Sequence, residues 1–198
     1  MVEHVIEQYM RTLKLGGMAK EWRSVEYTDT EQYVTALLAL ELREREANRI
    51  NRMVKTAGFQ VLKTLDDFEW KTDLELPNGL TREYMEDLRF LAPKENLIFM
   101  GAVGVAAIAA ASGGRTECAV GTVKTHLATA LALRGCQEGR HVRFFTAASL
   151  ANILLEKNSR GTLNSFLGTL KKVELIVIDE IGFVPLHKEA AELLFQVI

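Results

Sequence analysis

Apolar residues in the first 57 positions recur every three or four residues, which is the spacing of an amphipathic helix. The series consists of Val34, Leu37, Leu38, Ala47, Ile50, Met53 and Val54. Charged residues are dense between the apolar ones, and Gly58 follows as a typical helix terminator. The pattern predicts a helical N-terminal region over residues 1–57.

Three arginines of this region share one face of the predicted helix. Arg45, Arg49 and Arg52 are spaced at i, i+4 and i+7. One interpretation is a solvated face that is covered by Glu–Arg pairs. The other is a basic stripe that contacts DNA phosphates, and the sequence alone leaves both open.

Residues 58–95 are predicted to be a connector. Pro77, Asn78 and Gly79 are typical of a turn, and a short helix is expected over residues 81–91. Phe68 and Trp70 are more often core residues than functional ones. We therefore expect both aromatic side chains to pack inside the protein.

From residue 96 onward, short apolar runs alternate with helical stretches. Runs of strand length occupy residues 97–100, 142–145 and 174–179, and helices are expected over residues 125–138, 147–157 and 163–171. Such alternation favours a parallel sheet flanked by helices. The predicted fold class is α/β, with the core over residues 96–198.

Two glycine-containing segments resemble parts of a phosphate-binding loop. Such a loop has the form G-x-x-x-x-G-K-[ST] between a strand and a helix, and its backbone N–H groups surround the phosphates. Gly101 and Gly104 follow the first predicted strand, but no Lys-Thr comes after them. Gly121 begins the second segment, in which Lys124 and Thr125 lead into a helix.

The repeated Ala-Val-Gly of these segments is offset by 17 residues, which indicates a loop with 17 extra residues inserted. Gly113 and Gly114 would supply a turn within the insert. Closing a longer loop costs entropy and reduces the precision of the site. Val123 stands where the motif has glycine, and a positive φ there would cost about 1–3 kcal/mol.

A second motif ends the apolar run of residues 174–179. Asp179 and Glu180 lie at the expected carboxyl end of a parallel strand, where open α/β sheets bind ligands. Asp179 is expected to hold Mg²⁺ and Glu180 to orient or deprotonate an attacking water. The alternative is a strand that simply ends in two solvated carboxylates.

Composition narrows the range of partners and compartments. The formal net charge is −2, from 24 basic and 26 acidic residues, which excludes a globally basic nucleic-acid binder but permits a local basic patch. Cys118 and Cys136 form neither a disulfide framework nor a metal pattern, which favours the reducing cytoplasm. The longest apolar run has 15 residues, too few for a membrane helix of about 20.

Taken together, these segments resemble the IstB-like ATP-binding proteins, which are AAA+ helper ATPases of insertion-sequence transposition and are related to DnaC-type helicase loaders. The resemblance covers nearly the whole chain except the insert. The matching stretches are residues 13–22, 40–50, 57–70, 95–105, 123–132, 139–150 and 174–186.

The resemblance implies a P-loop ATPase core behind a helical region that engages DNA and a transposase, and assembly into a homo-oligomer. ATP and Mg²⁺ are the implied cofactors. Lys124 would contact the β- and γ-phosphates, Thr125 and Asp179 would support Mg²⁺, and Glu180 would activate water. The expected cofactor-binding set is Gly101, Gly104, Gly121, Thr122, Val123, Lys124, Thr125 and His126.

This sequence departs from the family pattern in two places. The loop is interrupted, and the chain stops at Ile198, before the segments that carry a polar sensor and an arginine for the neighbouring subunit in the family. We therefore expect weak nucleotide binding and negligible hydrolysis. Two alternatives remain open, a non-hydrolysing remnant that binds DNA or partners and a DnaC-type helicase loader.

Overall fold

A computed structural model describes residues 2–70, 76, 80–100, 105–110, 117–119, 123–182 and 187–198. The predicted turns at residues 77–79 and 113–114 lie outside this part of the chain. The chain divides into two compact units, Met1–Arg52 and Met53–Ile198.

Helices dominate the described residues, and five short strands occur in the second unit. The helices are α1 (Val2–Thr12), α2 (Gly16–Glu21), α3 (Thr30–Ala57), α4 (Arg82–Glu86), α5 (Val123–Gln137), α6 (Ala147–Ser159), α7 (Leu163–Leu170) and α8 (Lys188–Phe195). The strands are β1 (Leu97–Met100), β2 (Val105–Ala110), β3 (Glu117–Ala119), β4 (Val142–Thr146) and β5 (Leu175–Asp179). Short 3₁₀ turns follow α2 and α4, at Trp22–Ser24 and Arg89–Leu91.

The helical prediction for the N-terminal region is confirmed, with the region divided among α1, α2 and α3. The long α3 ends at Ala57, and Gly58 follows with a φ of 85°, a left-handed conformation that glycine adopts without strain. The single helix predicted over residues 81–91 is instead α4 followed by a 3₁₀ turn. None of the described helices is long and apolar enough to cross a membrane.

In the first unit, α2 packs closely against α3 through a glycine. A Cβ atom built on Gly17 would lie 2.7 Å from the backbone oxygen of Leu40 and 2.9 Å from the Cα of Glu41. The backbone amides of Gly17 and Met18 donate hydrogen bonds of 2.8 and 3.3 Å to the buried Glu41 carboxylate. The first turn of α2 is thus satisfied by a side chain of α3.

In the second unit, α5 is the central element of the core. Leu127 and Leu131 pack with Phe68 and with Met85 of α4, and the half-buried Trp70 lies against the same cluster. The prediction that both aromatic residues belong to the core is confirmed. A separate cluster joins α6 to α8 through Leu150, Leu154, Leu193 and Leu194.

The two strands predicted at residues 142–145 and 174–179 form the expected parallel pair. β4 and β5 are in register from Val142 opposite Leu175 to Thr146 opposite Asp179. The predicted helices after residue 120 are also confirmed, with ends that differ by one or two residues.

The first predicted strand was expected to join one parallel sheet, but β1 belongs to a different sheet from β4 and β5. β1 pairs antiparallel with β2, and β2 pairs antiparallel with β3, to give a separate three-stranded sheet. The segment that we assigned to the insert is apolar enough to supply β2, and an adjacent strand pairs at a lower cost in loop entropy than a distant one. Ile98 and Met100 are consequently exposed, whereas Leu97 and Phe99 face the core.

Replacing Gly17 with alanine is expected to destabilise the first unit by about 1–3 kcal/mol, because the new Cβ would meet backbone atoms that cannot move away cheaply. Gly16→Ala is the matched control, since a Cβ atom at Gly16 would meet no atom of another segment within 4 Å, and it should be neutral or slightly stabilising. Urea unfolding followed by circular dichroism measures both. Equal stability of the two variants would contradict the close packing of α2 on α3.

The pH dependence of stability should reflect Glu41. Burial alone raises the pKa of this carboxyl, but hydrogen bonds from Arg45 and from the amides of Met18 and Gly17 outweigh burial and lower the pKa below its usual 4.5. A lowered pKa in the folded state gives stability that is present above pH 4.5 and is lost as the pH falls through the folded value.

Glu41→Gln should therefore cost about 1–2 kcal/mol at pH 7, and this difference from the unchanged protein should shrink as the pH falls below about 4. The exposed Glu31→Gln serves as a control, with an effect within about 0.5 kcal/mol. Unfolding curves from pH 3 to 8 test the prediction. A constant difference across this range would show that the ionised carboxylate is not the stabilising form.

Candidate functional site

The order of elements distinguishes the two glycine-containing segments. After β1 the chain reverses into β2, so no helix follows the first segment. The second segment lies between β3 and α5, which is the strand–loop–helix order of a phosphate loop. Because each pairing is antiparallel, β3 runs in the same direction as β1. The predicted loop residues Gly101, Gly104, Gly121 and Thr122 lie outside the described part of the chain.

Val123 is the first residue of α5, so the position where the motif has glycine belongs to the start of a helix. Its neighbour Lys124 is half-buried, and the Cα atoms of Lys124 and Thr125 are about 3.8 Å apart across their peptide bond.

Thr125 and Asp179 meet although 54 residues separate them in the sequence. The Thr125 hydroxyl donates a hydrogen bond of 3.1 Å from Oγ1 to Asp179 Oδ1. Thr125 lies in the first turn of α5, and Asp179 is the last residue of β5. The contact thus joins the start of a helix to the carboxyl end of a parallel strand.

The backbone beyond Asp179 turns sharply. Glu180 has a φ of 62°, a left-handed conformation that costs a residue other than glycine about 1 kcal/mol or more. Its N–H donates a 2.9 Å hydrogen bond to Asp179 Oδ1, the oxygen that also accepts from Thr125. Two donors therefore fix the orientation of the half-buried Asp179 carboxylate, and the exposed Glu180 side chain begins next to it.

These oxygens suit a hard cation. A threonine hydroxyl and a carboxylate are the protein ligands that Mg²⁺ commonly takes from a nucleotide-binding site, where phosphates and water supply the rest. The described residues contain no group of three or more His, Cys, Asp or Glu side chains that could form a complete metal cage. Thr125 and Asp179 fit a site in which phosphates and water complete the coordination of Mg²⁺ better than a site whose ligands all come from the protein.

His126 connects α5 to the connector. Its Nε2 lies 3.0 Å from the carbonyl oxygen of Thr64, which can only accept a hydrogen bond, so Nε2 carries the proton. The imidazole ring also meets Phe68 edge to face, with centroids 5.3 Å apart. These contacts give His126 a packing role, and its predicted contact with a cofactor stays a prediction.

Thr146 was not singled out from the sequence, yet it lies opposite Asp179 in the parallel pair. Its side chain caps α6 by accepting from the Ser149 amide, and Ser149 Oγ accepts from the Thr146 amide. The signal that could have revealed it is a threonine three residues before a serine at the junction of a strand and a helix. The cap fixes the start of α6 beside the candidate site.

The predicted arginine face carries the Glu–Arg pairs of the first interpretation. Arg45 bonds Glu41 at 2.7 Å and Arg49 bonds Glu46 at 2.6 Å, while Arg52 donates to a backbone carbonyl. The side chains of Arg45 and Arg49 remain 60% and 41% exposed. A contact with DNA phosphates stays a prediction.

Comparison with known proteins identifies the family. The profile of the family described as IstB-like ATP binding protein matches residues 8–198. A protein of Geobacillus stearothermophilus named as a candidate ATP-binding protein of insertion sequence IS5376 is 29% identical over 199 residues, covering 98% of this chain and 72% of the relative. The corresponding protein of insertion sequence IS232 from Bacillus thuringiensis subsp. berliner is 31% identical over 195 residues, covering 94% and 70%.

A shorter similarity extends to a replication protein. The chromosomal replication initiator protein DnaA of Aquifex aeolicus is 34% identical over 64 residues, which is 32% of this chain and 16% of DnaA. The family profile and the insertion-sequence relatives cover nearly the whole chain, whereas DnaA matches only a part. This chain belongs to the IstB-like ATP-binding protein family.

Proposed function

We propose that this protein is an ATP-binding helper of DNA transposition, which binds ATP and Mg²⁺ at the ends of the parallel strands, binds DNA and recruits a transposase as a homo-oligomer. The observation that carries the proposal is the hydrogen bond between Thr125 and Asp179. Family membership and the names of the insertion-sequence relatives support the link to transposition.

Each residue of the site has a role that its chemistry allows. Lys124 supplies positive charge to the β- and γ-phosphates, and the start of α5 adds the partial positive charge of a helix N-terminus. Thr125 and Asp179 offer the hydroxyl and carboxylate oxygens for Mg²⁺. Glu180, next to Asp179, orients a water or accepts its proton. Gly121 and Thr122 precede α5 in the sequence, and Val123 is its first residue.

Binding and hydrolysis should nevertheless be weak. Only three residues separate β3 from α5, and Cys118 and Val123 stand where a phosphate loop has its two glycines. Backbone N–H groups can approach a phosphate closely only where no side chain intervenes, which is the reason for glycine in these loops. Fewer N–H donors then reach the phosphates, so both affinity and transition-state stabilisation fall.

A titration with a fluorescent ATP analogue in the presence of Mg²⁺ tests the site. We expect a Kd of about 100 µM or weaker, since each 1.4 kcal/mol of lost contact costs a factor of ten. Lys124→Ala should remove the remaining binding, and Thr125→Ala should remove its dependence on Mg²⁺. Lys171→Ala, an exposed lysine at the end of α7, is the matched control for loss of charge.

Two results would contradict this proposal. Micromolar binding that Lys124→Ala abolishes would show that the interrupted loop is intact in function, and the claim of weak binding would be wrong. Binding that Lys124→Ala and Thr125→Ala both leave unchanged would move the nucleotide away from the start of α5, and the proposed site would be wrong.

DNA binding is assigned to the exposed face of Arg45, Arg49 and Arg52. Each arginine that contacts a phosphate should contribute about 0.9 to the slope of log affinity against log salt concentration. Replacing all three with alanine should therefore flatten this slope, as measured by fluorescence anisotropy of a labelled duplex from 50 to 300 mM salt.

The matched control removes the same charge from the second unit. Arg89, Arg140 and Arg160 also form exposed salt bridges, and their replacement with alanine should leave the slope unchanged. An equal slope in the first triple variant and the unchanged protein would reject the arginine face as the DNA contact.

The helicase-loader alternative has less support. Both insertion-sequence relatives match over 94% or more of this chain, and their names place them in insertion sequences. We also place the protein in the cytoplasm, because Cys136 is buried as a free thiol, as is common for cysteines in a reducing compartment.

A further inference from the structure

The first unit, Met1–Arg52, has a small core of its own. Among residues 4–52, whose burial is described, the buried apolar side chains are Met10 and Met18, and the unit contains no cysteine. Units below about 70 residues bury little apolar surface, and many gain stability from a disulfide, a metal or association with another chain. Apolar side chains that this unit leaves at its surface are therefore candidates for an interface.

One face of α3 carries a row of exposed apolar side chains, which we call the α3 stripe. It consists of Val34, Leu38 and Leu42, which are 48%, 53% and 68% exposed. Their spacing of four residues places them one above another on the same side of the helix. A single exposed leucine is ordinary, but a row of large apolar side chains indicates an interaction surface. The packing of α2 on α3 through Gly17 leaves this row uncovered.

The charge of α3 and of the segment before it changes sign along the chain. Residues 26–42 contain four acidic and no basic residues, whereas residues 43–52 contain four basic and two acidic ones. Within the helix, the exposed Glu31 and Arg45 lie seven residues before and after Leu38, which is about two turns in each direction on the same side. The α3 stripe therefore has a negative group beyond one end and a positive group beyond the other.

These features match a second copy of the same helix in the antiparallel direction. With the two Leu38 side chains opposite each other, Val34 of each copy lies opposite Leu42 of the other. Glu31 of each copy then lies opposite the exposed Arg45 of the other. A parallel pair would instead bring like charges together, and the helix dipoles also favour the antiparallel direction.

We propose that two copies of this chain pair through the α3 stripe, with the helices antiparallel and Leu38 on the twofold axis. Such an interface is self-complementary, because each contact occurs twice. Burial of the stripe supplies affinity, and the charges beyond its ends fix the direction. The pairing gives the homo-oligomer of the proposed function a defined surface, but it requires neither ATP nor DNA and is tested without them. Arg49 and Arg52 lie beyond the paired segment and remain available for the proposed DNA contact.

Sedimentation equilibrium without nucleotide measures the pairing. The mass of one chain is 22.2 kDa, and we expect the weight-average mass to rise towards twice this value between about 5 and 500 µM, since small interfaces bind weakly. Leu38→Glu should weaken association at least about tenfold, because it places two carboxylates together on the axis. The matched control is Leu62→Glu in the connector, where the leucine is 54% exposed, and it should leave association unchanged.

Cross-linking tests the direction of the helices. In a chain whose Cys118 and Cys136 are replaced with alanine, Val34→Cys and Leu42→Cys are prepared separately and are oxidised alone and as a mixture. Antiparallel pairing predicts disulfide-linked dimers in the mixture and at least about tenfold fewer in either variant alone. The reason is that two copies of the same residue then lie about 12 Å apart along the helix axis, beyond the Cα separation of a disulfide.

The proposal is overturned if the mass stays at 22.2 kDa up to about 500 µM, since even a weak dimer would then be populated. It is also overturned if Leu38→Glu associates as well as the unchanged protein, or if Leu62→Glu loses association equally. Faster cross-linking of either cysteine variant alone than of the mixture would overturn the antiparallel direction.

Folding of the variants is followed by far-ultraviolet circular dichroism, and Leu38→Glu should keep its helix content because glutamate is nearly as good a helix former as leucine. Should Leu38→Glu fail to fold, Leu38→Ala takes its place, with an expected loss of association of about three- to tenfold. The sedimentation comparison stands alone if the cysteine-free chain does not fold.

Discussion

The hydrogen bond from Thr125 to Asp179 is the constraint on which the location of the candidate site depends. It joins the first turn of α5 to the last residue of β5, and the parallel pairing of β4 with β5 places that residue at the carboxyl end of the strands. This end is where α/β proteins bind ligands, because helix N-termini and strand ends meet there. Without the contact, the Lys-Thr and Asp-Glu motifs would have no shared position.

The residues between β1 and α5 change the surroundings of that site. β1 pairs antiparallel with β2, which begins after four intervening residues. In the described part of the chain, the only parallel pair is that of β4 with β5. Local pairing closes a short loop, while pairing of β1 with β5, which begins 75 residues after β1 ends, closes a long one, and the entropy difference favours the local partner. The second glycine segment therefore follows β3, and Cys118, at the position of the motif's first glycine, lies within β3.

Much of this arrangement follows from the sequence, and the exceptions have identifiable causes. The strand at Leu175–Asp179 and the helix beginning at Val123 were predictable, because a continuous apolar run and a Lys-Thr before a helical pattern are strong local signals. The antiparallel β2 was not predicted, because an Ala-rich apolar run has no periodicity that distinguishes an insert loop from a strand. The carbonyl contact of His126 depends on the path of the connector, which no local pattern specifies.

The two ends of α5 have different surroundings, so a substitution near one end need not affect the residues around the other end. Thr125 in the first turn contacts Asp179, while Leu133 in the third lines a groove beside Trp70. Effects at sites more than about 7–10 Å apart are usually additive, so a defect in the phosphate loop need not disturb the groove. The core residues Leu127 and Leu131 hold α5 in place for both ends. A chain that binds nucleotide poorly can therefore keep the packing around the second half of α5 intact.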